Sequence, residues 1–255
     1  MPASIKLQEK YGDDVQVIFV ESQAHTREDY ESFAWRSKWM GNNAIWTDER
    51  PIPTVGTGLP ETALIGVDGK VIMQGNPGNF GKKFEAAVEA EVKKSKSPPE
   101  GTPDALKPAW TAYLKGDVSA ALAECDKVAS DGGKALHEQF LSATKHQIAR
   151  VKWLVDNGYL SDADKLAGEL AKGVKGTADL EKDVAAQITR MAAPDMAAEK
   201  EAEKAVANFV KEIAKKKPFD PANVKKAESL DKKYPGTKAG GRAAHIAELS
   251  KVKNA

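Results

Sequence analysis

The feature that most limits the fold is a break. Residues 95–104 (SKSPPEGTPD) carry three prolines and a glycine and separate two unlike kinds of sequence. Proline fixes φ at about −65° and offers no N–H, so the segment continues neither helix nor sheet and reads as an interdomain linker. Before it, short apolar runs alternate with amphipathic stretches. After it, no segment reads as a strand, and Ala, Lys and Glu dominate. A chain of 255 residues is long enough for two domains with separate cores. The expected organisation is an α/β domain over 1–95, a linker over 96–103, and an all-α domain of helix hairpins over 104–255.

Within the first part the expected order is α-β-α-β-β-β-α. Ser4 to Tyr11 reads as a short helix, and VQVIFV (15–20) as a buried strand. Thr26 with Asp29 fits a helix start, a hydroxyl at the N-cap and an acid three residues on, with the helix running to about Met40. AIWT (44–47) reads as a second short strand. ETALIGV (61–67) is nearly continuous in apolar residues, as in a strand buried on both faces. Asp68-Gly69 predicts a two-residue type I′ turn, and KVIMQG (70–75) the returning strand. Pro60 stands at a strand start, where the missing N–H does least harm. Phe80, Phe84, Val88 and Val92 form one stripe of a helix over 79–94.

The second part is expected to hold helices near 104–115, 118–130, 134–157, 161–173, 178–192, 196–216, 221–233 and 239–252. Gly116-Asp-Val-Ser119-Ala-Ala121 and Gly158-Tyr-Leu-Ser161-Asp-Ala163 share G-x-x-S-x-A, 42 residues apart. Ser161 with Asp164 has the form of a capping box. Tyr234-Pro235-Gly236 reads as a turn between helices. Small residues such as Ala121, Ala163 and Ala244 let helices approach closely, as stacked helical repeats require. An irregular helical bundle is the other architecture compatible with these spacings.

Charge and motifs exclude several classes. Net charge is +1, from 38 basic and 37 acidic side chains, which gives nucleic acid or an acidic membrane nothing to hold. The longest apolar runs are far too short to span a bilayer. MPASIKLQEKYGDD (1–14) lacks the apolar core and cleavage site of a signal peptide, so the chain as it stands is expected in the cytoplasm. One cysteine, Cys125, excludes an internal disulfide. Its neighbours Glu124 and Asp126 disfavour a thiolate, so it reads as a plain helix residue. His25, His137, His146 and His245 make no H-E-x-x-H and no i, i+4 pair, so neither a metal nor another cofactor is expected. The glycine-rich residues 75–83 miss the P-loop spacing by one, and Lys83 stands where Ser or Thr would hold Mg²⁺; they read as a strand–helix turn. No G-x-S-x-G occurs. Lys215-Lys216-Lys217 reads as a solvated helix end.

The stretch GLPETALIGVDGKV (58–71), with VQVIFV, the helix over 26–40 and the closing helix over 79–94, resembles the thioredoxin superfamily, in particular the redoxin-like thiol–disulfide oxidoreductases of bacterial envelopes. The resemblance covers roughly residues 1–95. It implies that Leu59-Pro60 is the residue–cis-proline pair and that Leu59, Pro60 and Glu61 shape a groove for an extended peptide. It also implies a first strand and a C-x-x-C ahead of Met1, with Met1-Pro2 in the position of the Met-Pro pair that follows the second cysteine. The domain is therefore expected to be N-terminally incomplete, without catalytic residues of its own, and, lacking a central or near-central strand, either less stable or with its sheet rebuilt differently. A start lying upstream would place the protein in the bacterial periplasm or envelope. The second part is similar, loosely, to tetratricopeptide-type hairpins, with GDVSAALAE (116–124) and YPGTKAGGRAA (234–244) the closest stretches.

Three functions are compatible with these readings. The first is a thioredoxin-like protein of the thiol–disulfide exchange class acting on protein partners, redox-inactive as it stands. The second is a non-catalytic scaffold presenting its helical part to a protein partner. The third is a single-cysteine enzyme using Cys125. Trp35 and Trp39, one helical turn apart, and Tyr30, Phe33 and Ala34 form two further stripes, read first as core packing and second as a partner surface.

Overall fold

A computed structural model describes residues 2–21, 23–39, 44–49, 52–53, 55–56, 58–214 and 220–251. Met40, to which one helix was expected to run, and Lys215-Lys216-Lys217 lie outside the described residues. Residues 1–101 and 102–255 form two compact units.

The first unit runs α1 (Pro2–Tyr11), β1 (Phe19–Val20), α2 (Arg27–Arg36), β2 (Ala44–Ile45), β3 (Thr62–Ile65), β4 (Val71–Gly75) and α3 (Lys82–Ser95). Thr26 caps α2, its side chain accepting from Asp29 N–H, which satisfies one of the donors a helix start leaves over. The strands do not make one sheet. β1 pairs with β2 in parallel, Phe19 beside Ala44 and Val20 beside Ile45. β3 pairs with β4 antiparallel, Thr62 opposite Gly75 and Leu64 opposite Met73. Each sheet has two strands among the described residues.

Three expectations need correction here. Neither 15–20 nor 61–67 is a buried strand. Ile18 and Val20 are exposed, and Ile65 and Val67 are 52% and 57% exposed. Among the described residues each pair has no further strand beside it, so both of its outer edges lack a strand neighbour there. The hairpin turn is not type I′, which would put both Asp68 and Gly69 at φ > 0. Of the two only Gly69 has positive φ, at 76°. Gly66 N–H donates to Lys70 O and Gly69 N–H to Gly66 O, which makes a three-residue loop with its glycine in the left-handed position. The stripe on α3 is only half buried: Val88 and Val92 are buried, and Phe80 and Phe84 stack on each other with centroids 5.6 Å apart.

The second unit holds α4 (Lys107–Leu114), α5 (Val118–Asp126), α6 (Asp131–Asp156), α7 (Leu160–Gly173), α8 (Ala178–Ala192), α9 (Ala197–Ala214), α10 (Pro221–Lys233) and α11 (Lys238–Lys251). No strand occurs among its described residues. From α4 to α8 each helix packs on the next; α6 also meets α8, and α7 meets α9. The helices α9, α10 and α11 pack on one another. Gly116, Gly158 and Gly236 end α4, α6 and the α10 turn at φ of 81°, 70° and 76°, a region that penalises any residue with a Cβ. The shared G-x-x-S-x-A thus marks two helix turns, each followed by a fully buried alanine, Ala121 and Ala163.

Apolar stripes meet inside this unit. Phe140 is buried between aromatic neighbours, stacked on Tyr113 at 4.1 Å and meeting Trp110 edge-on at 5.0 Å. Cys125 lies in the same core, 1% exposed. The capping box expected at Ser161 does not form. Ser161 is the second residue of α7, and both its N–H and its hydroxyl donate to Glu203 of α9. A carboxylate 42 residues away takes the place of the local acid.

Candidate functional site

Leu59, Pro60 and Glu61 fall where the chain enters β3. Leu59-Pro60 is a cis peptide bond, and both side chains are exposed. Glu61 is half buried and turned onto its own loop. Its Oε1 accepts from Val55 N–H at 2.8 Å and from Gln74 Nε2 of β4 at 2.8 Å. Gln74 Nε2 also donates to Pro53 O. The Val55 N–H, then the Gln74 amide, hold the Glu61 carboxyl below the usual carboxylate range. Its other oxygen, Oε2, is buried with no hydrogen-bond partner among the described residues. Glu61 therefore fixes the loop that presents Leu59 and Pro60, and only those two face solvent.

The loop and the hairpin that follows it carry exposed apolar side chains. Val55, Leu59, Ile65, Val67, Val71 and Ile72 are all exposed. The edge of β3 opposite β4 has no neighbouring strand among the described residues. An unpaired strand edge next to apolar side chains is the arrangement that accepts an extended chain by strand addition. The edge of β1 is partly occupied from within: Val17 N–H, just ahead of β1, donates to Gln8 Oε1 of α1 at 2.8 Å.

The remaining candidates separate cleanly. Trp35 is buried, and Trp39 stacks on Phe19 of β1 at 4.7 Å and meets Phe33 edge-on at 5.1 Å. These rings tie α2 to β1, although Phe33 itself stays exposed. Burial, then Asp126 and Glu124, push the Cys125 thiol up, so the nucleophilic thiolate is disfavoured. His137 Nε2 stands 3.6 Å from Asp126 Oδ1. Among the described residues no group of three or more His, Cys, Asp or Glu is placed to hold a metal ion. The 75–83 stretch is a strand–helix turn, in which Asn76 Oδ1 accepts from Gly78 N–H at 2.9 Å.

Sequence reasoning missed Glu199, Glu203 and Arg242. Glu199 and Glu203 lie one turn apart on α9, 8% and 9% exposed. Glu199 accepts from Lys238 N–H at 2.7 Å and Ala239 N–H at 2.8 Å, at the start of α11. Arg242 of α11 donates to Asn157 O and Gly158 O at the end of α6, with its guanidinium 4.2 Å from the centroid of the Tyr159 ring. The available signal was position: both glutamates share a helical stripe with Ala202, Val206, Phe209 and Ile213, all buried.

Among the described residues no helix is long and apolar enough to cross a membrane. No family model, curated protein or solved structure matches the chain.

Proposed function

We propose that the first unit is a thioredoxin-type scaffold that binds an extended polypeptide beside Leu59 and Pro60, and that its reaction class is thiol–disulfide exchange with protein partners of the bacterial envelope. The supporting observation is the division of the strands. A parallel pair joined through a helix (β1–α2–β2) and an antiparallel hairpin followed by a helix (β3–β4–α3) stand as two separate sheets. One strand between β1 and β3 would join them into a single mixed sheet. That is the position the resemblance gives to the strand that ends in C-x-x-C. The cis bond at Leu59-Pro60 agrees with the same resemblance. Cys125, buried in the other unit, takes no part.

The test is disulfide reduction in insulin by two proteins: this chain, and the chain extended upstream by a strand and a C-x-x-C. Turnover by the extended protein alone is the expected result. Turnover by the unextended chain, lost in Cys125→Ser, would move the chemistry to Cys125 and overturn the proposal. Inactivity of both would also overturn exchange as the reaction class.

A second reading, a scaffold without catalysis, draws on the helical unit. Among its described residues the exposed large apolar ones, Leu114, Trp153 and Ile188, fall on the alternate helices α4, α6 and α8. A protein partner retained by the full chain, released by Trp153→Ala and indifferent to thiol reagents, would favour this reading.

A further inference from the structure

The helical unit has more than one apolar core. Buried residues from Leu106 to Met191 form one contiguous cluster. Ala202, Val206, Tyr234, Ala239 and Ala243, on α9 to α11 and the turn between α10 and α11, form another. The prominent contacts between the α6–α7 turn and α9 and α11 are polar. Glu203 of α9 reaches the first turn of α7, where Ser161 N–H has no partner inside its own helix. Arg242 of α11 reaches the two carbonyls just past the end of α6, Asn157 O at 2.6 Å and Gly158 O at 2.8 Å. An acid at a helix start and a cation at a helix end both suit the local dipoles. The two bodies also come close at Gly158, where a Cβ would lie 2.4 Å from Glu199 Oε1.

From this arrangement we infer that α9–α11 is a separately opening body, docked on the α6–α7 turn by Glu203 and Arg242. Splitting an apolar cluster exposes surface that water solvates poorly. Opening a polar seam exposes groups that water can satisfy, so the net loss is small beside the gross strength of the bonds. The seam therefore opens at lower free energy than either cluster unfolds. The pivot is the connection from α8 to α9. There Ala193 is extended (φ −62°, ψ 146°), a single 3-10 turn covers Pro194–Met196, and Met196 still packs against the first cluster. Element-terminal residues of this kind absorb the backbone change in a hinge. Glu199 has a different role: it bonds α9 to α11 within the moving body and holds the body together as it opens.

Native-state hydrogen exchange on the full chain tests this, because it reports opening segment by segment. Ser161 N–H depends on Glu203 and is the direct reporter of the seam. The expected result is that Ser161 N–H exchanges faster than the helical amides of α6 and of α9–α11, which keep their own helical bonds as the seam opens. In the double variant Glu203→Gln, Arg242→Gln the exchange of Ser161 rises by about tenfold, the scale of two charge–helix-end interactions lost together, while α6 is unchanged. In Glu199→Gln the exchange of 238–251 rises more than that of Ser161. A wild-type Ser161 N–H that exchanges no faster than the amides of α6 would overturn the inference, and this readout survives even if a variant fails to fold. A double variant that speeds α6 as much as Ser161, or that leaves Ser161 unchanged, would overturn it as well.

Discussion

In the helical unit the apolar side chains at helical spacing end up inside. Phe140, Leu160, Val174, Leu180 and Val184 are all at most 2% exposed, and among the described residues the exposed large apolar ones are Leu114, Trp153 and Ile188. In the strand-bearing unit the balance is reversed. Tyr30, Ala34, Trp35, Val88 and Val92 are buried, while Ile18, Val20, Phe33, Ile45, Val55, Leu59, Ile65, Val67, Val71 and Ile72 stand exposed. Both units carry apolar patterns of ordinary strength, so hydrophobicity alone does not account for the difference. A helix pairs its backbone groups within itself and needs neighbours only for its stripe. A strand needs a neighbour for its backbone as well as for each apolar face. Where the described residues supply no next strand, both needs go unmet together, which is why β1 and β3 have open edges and exposed side chains at the same places.

The contrast breaks first at Phe140. Phe140→Ala removes a ring packed on Tyr113 and Trp110 and should destabilise the helical unit by about 3–5 kcal/mol. Urea denaturation followed by far-ultraviolet circular dichroism reads this as a fall in midpoint. A loss below about 1 kcal/mol would mean that the core is loosely packed and the comparison unsound. Next is Gly173→Ala. The added Cβ would lie 1.9 Å from Gly116 O, a backbone atom that cannot step aside without moving the α4–α5 turn, and the expected cost is about 1–3 kcal/mol in the same assay. The smallest effect belongs to the other unit. Ile65→Thr with Val67→Thr changes two exposed side chains and should shift stability by no more than about 0.5 kcal/mol. It should also reduce self-association seen by light scattering, since an open apolar edge is an aggregation template. A destabilisation matching that of Phe140→Ala would show that this face is covered in solution.

Legibility in the sequence divides along the same line. Thr26 as N-cap, the eight helices of the second unit and the glycines that end α4, α6 and the α10 turn are all short-range features, and their boundaries fall within a few residues of expectation. The failures share a cause. Strand burial at 61–67 depended on a neighbour the described residues do not supply. The turn at Asp68-Gly69 depended on the register of β3 against β4, which places a bulge between Leu64 and Ile65. The capping box at Ser161 lost to Glu203, which is remote in sequence and adjacent in space. At the candidate site, Leu59 and Pro60 were legible as a turn entering a strand. The inward turn of Glu61 was not, because Val55 and Gln74 decide it.

By itself the sequence determined the break at 95–104, the helical character of residues 104–255, and the lack of a cysteine pair among these residues, because proline, hydrophobic period and residue identity act locally. Tertiary structure alone decided that the strands form two pairs and not one sheet, that Glu61 serves its own loop, and that Glu203 and Arg242 close helix ends across a polar seam. Each of those outcomes depends on which backbone groups find partners far along the chain, and no local pattern encodes that.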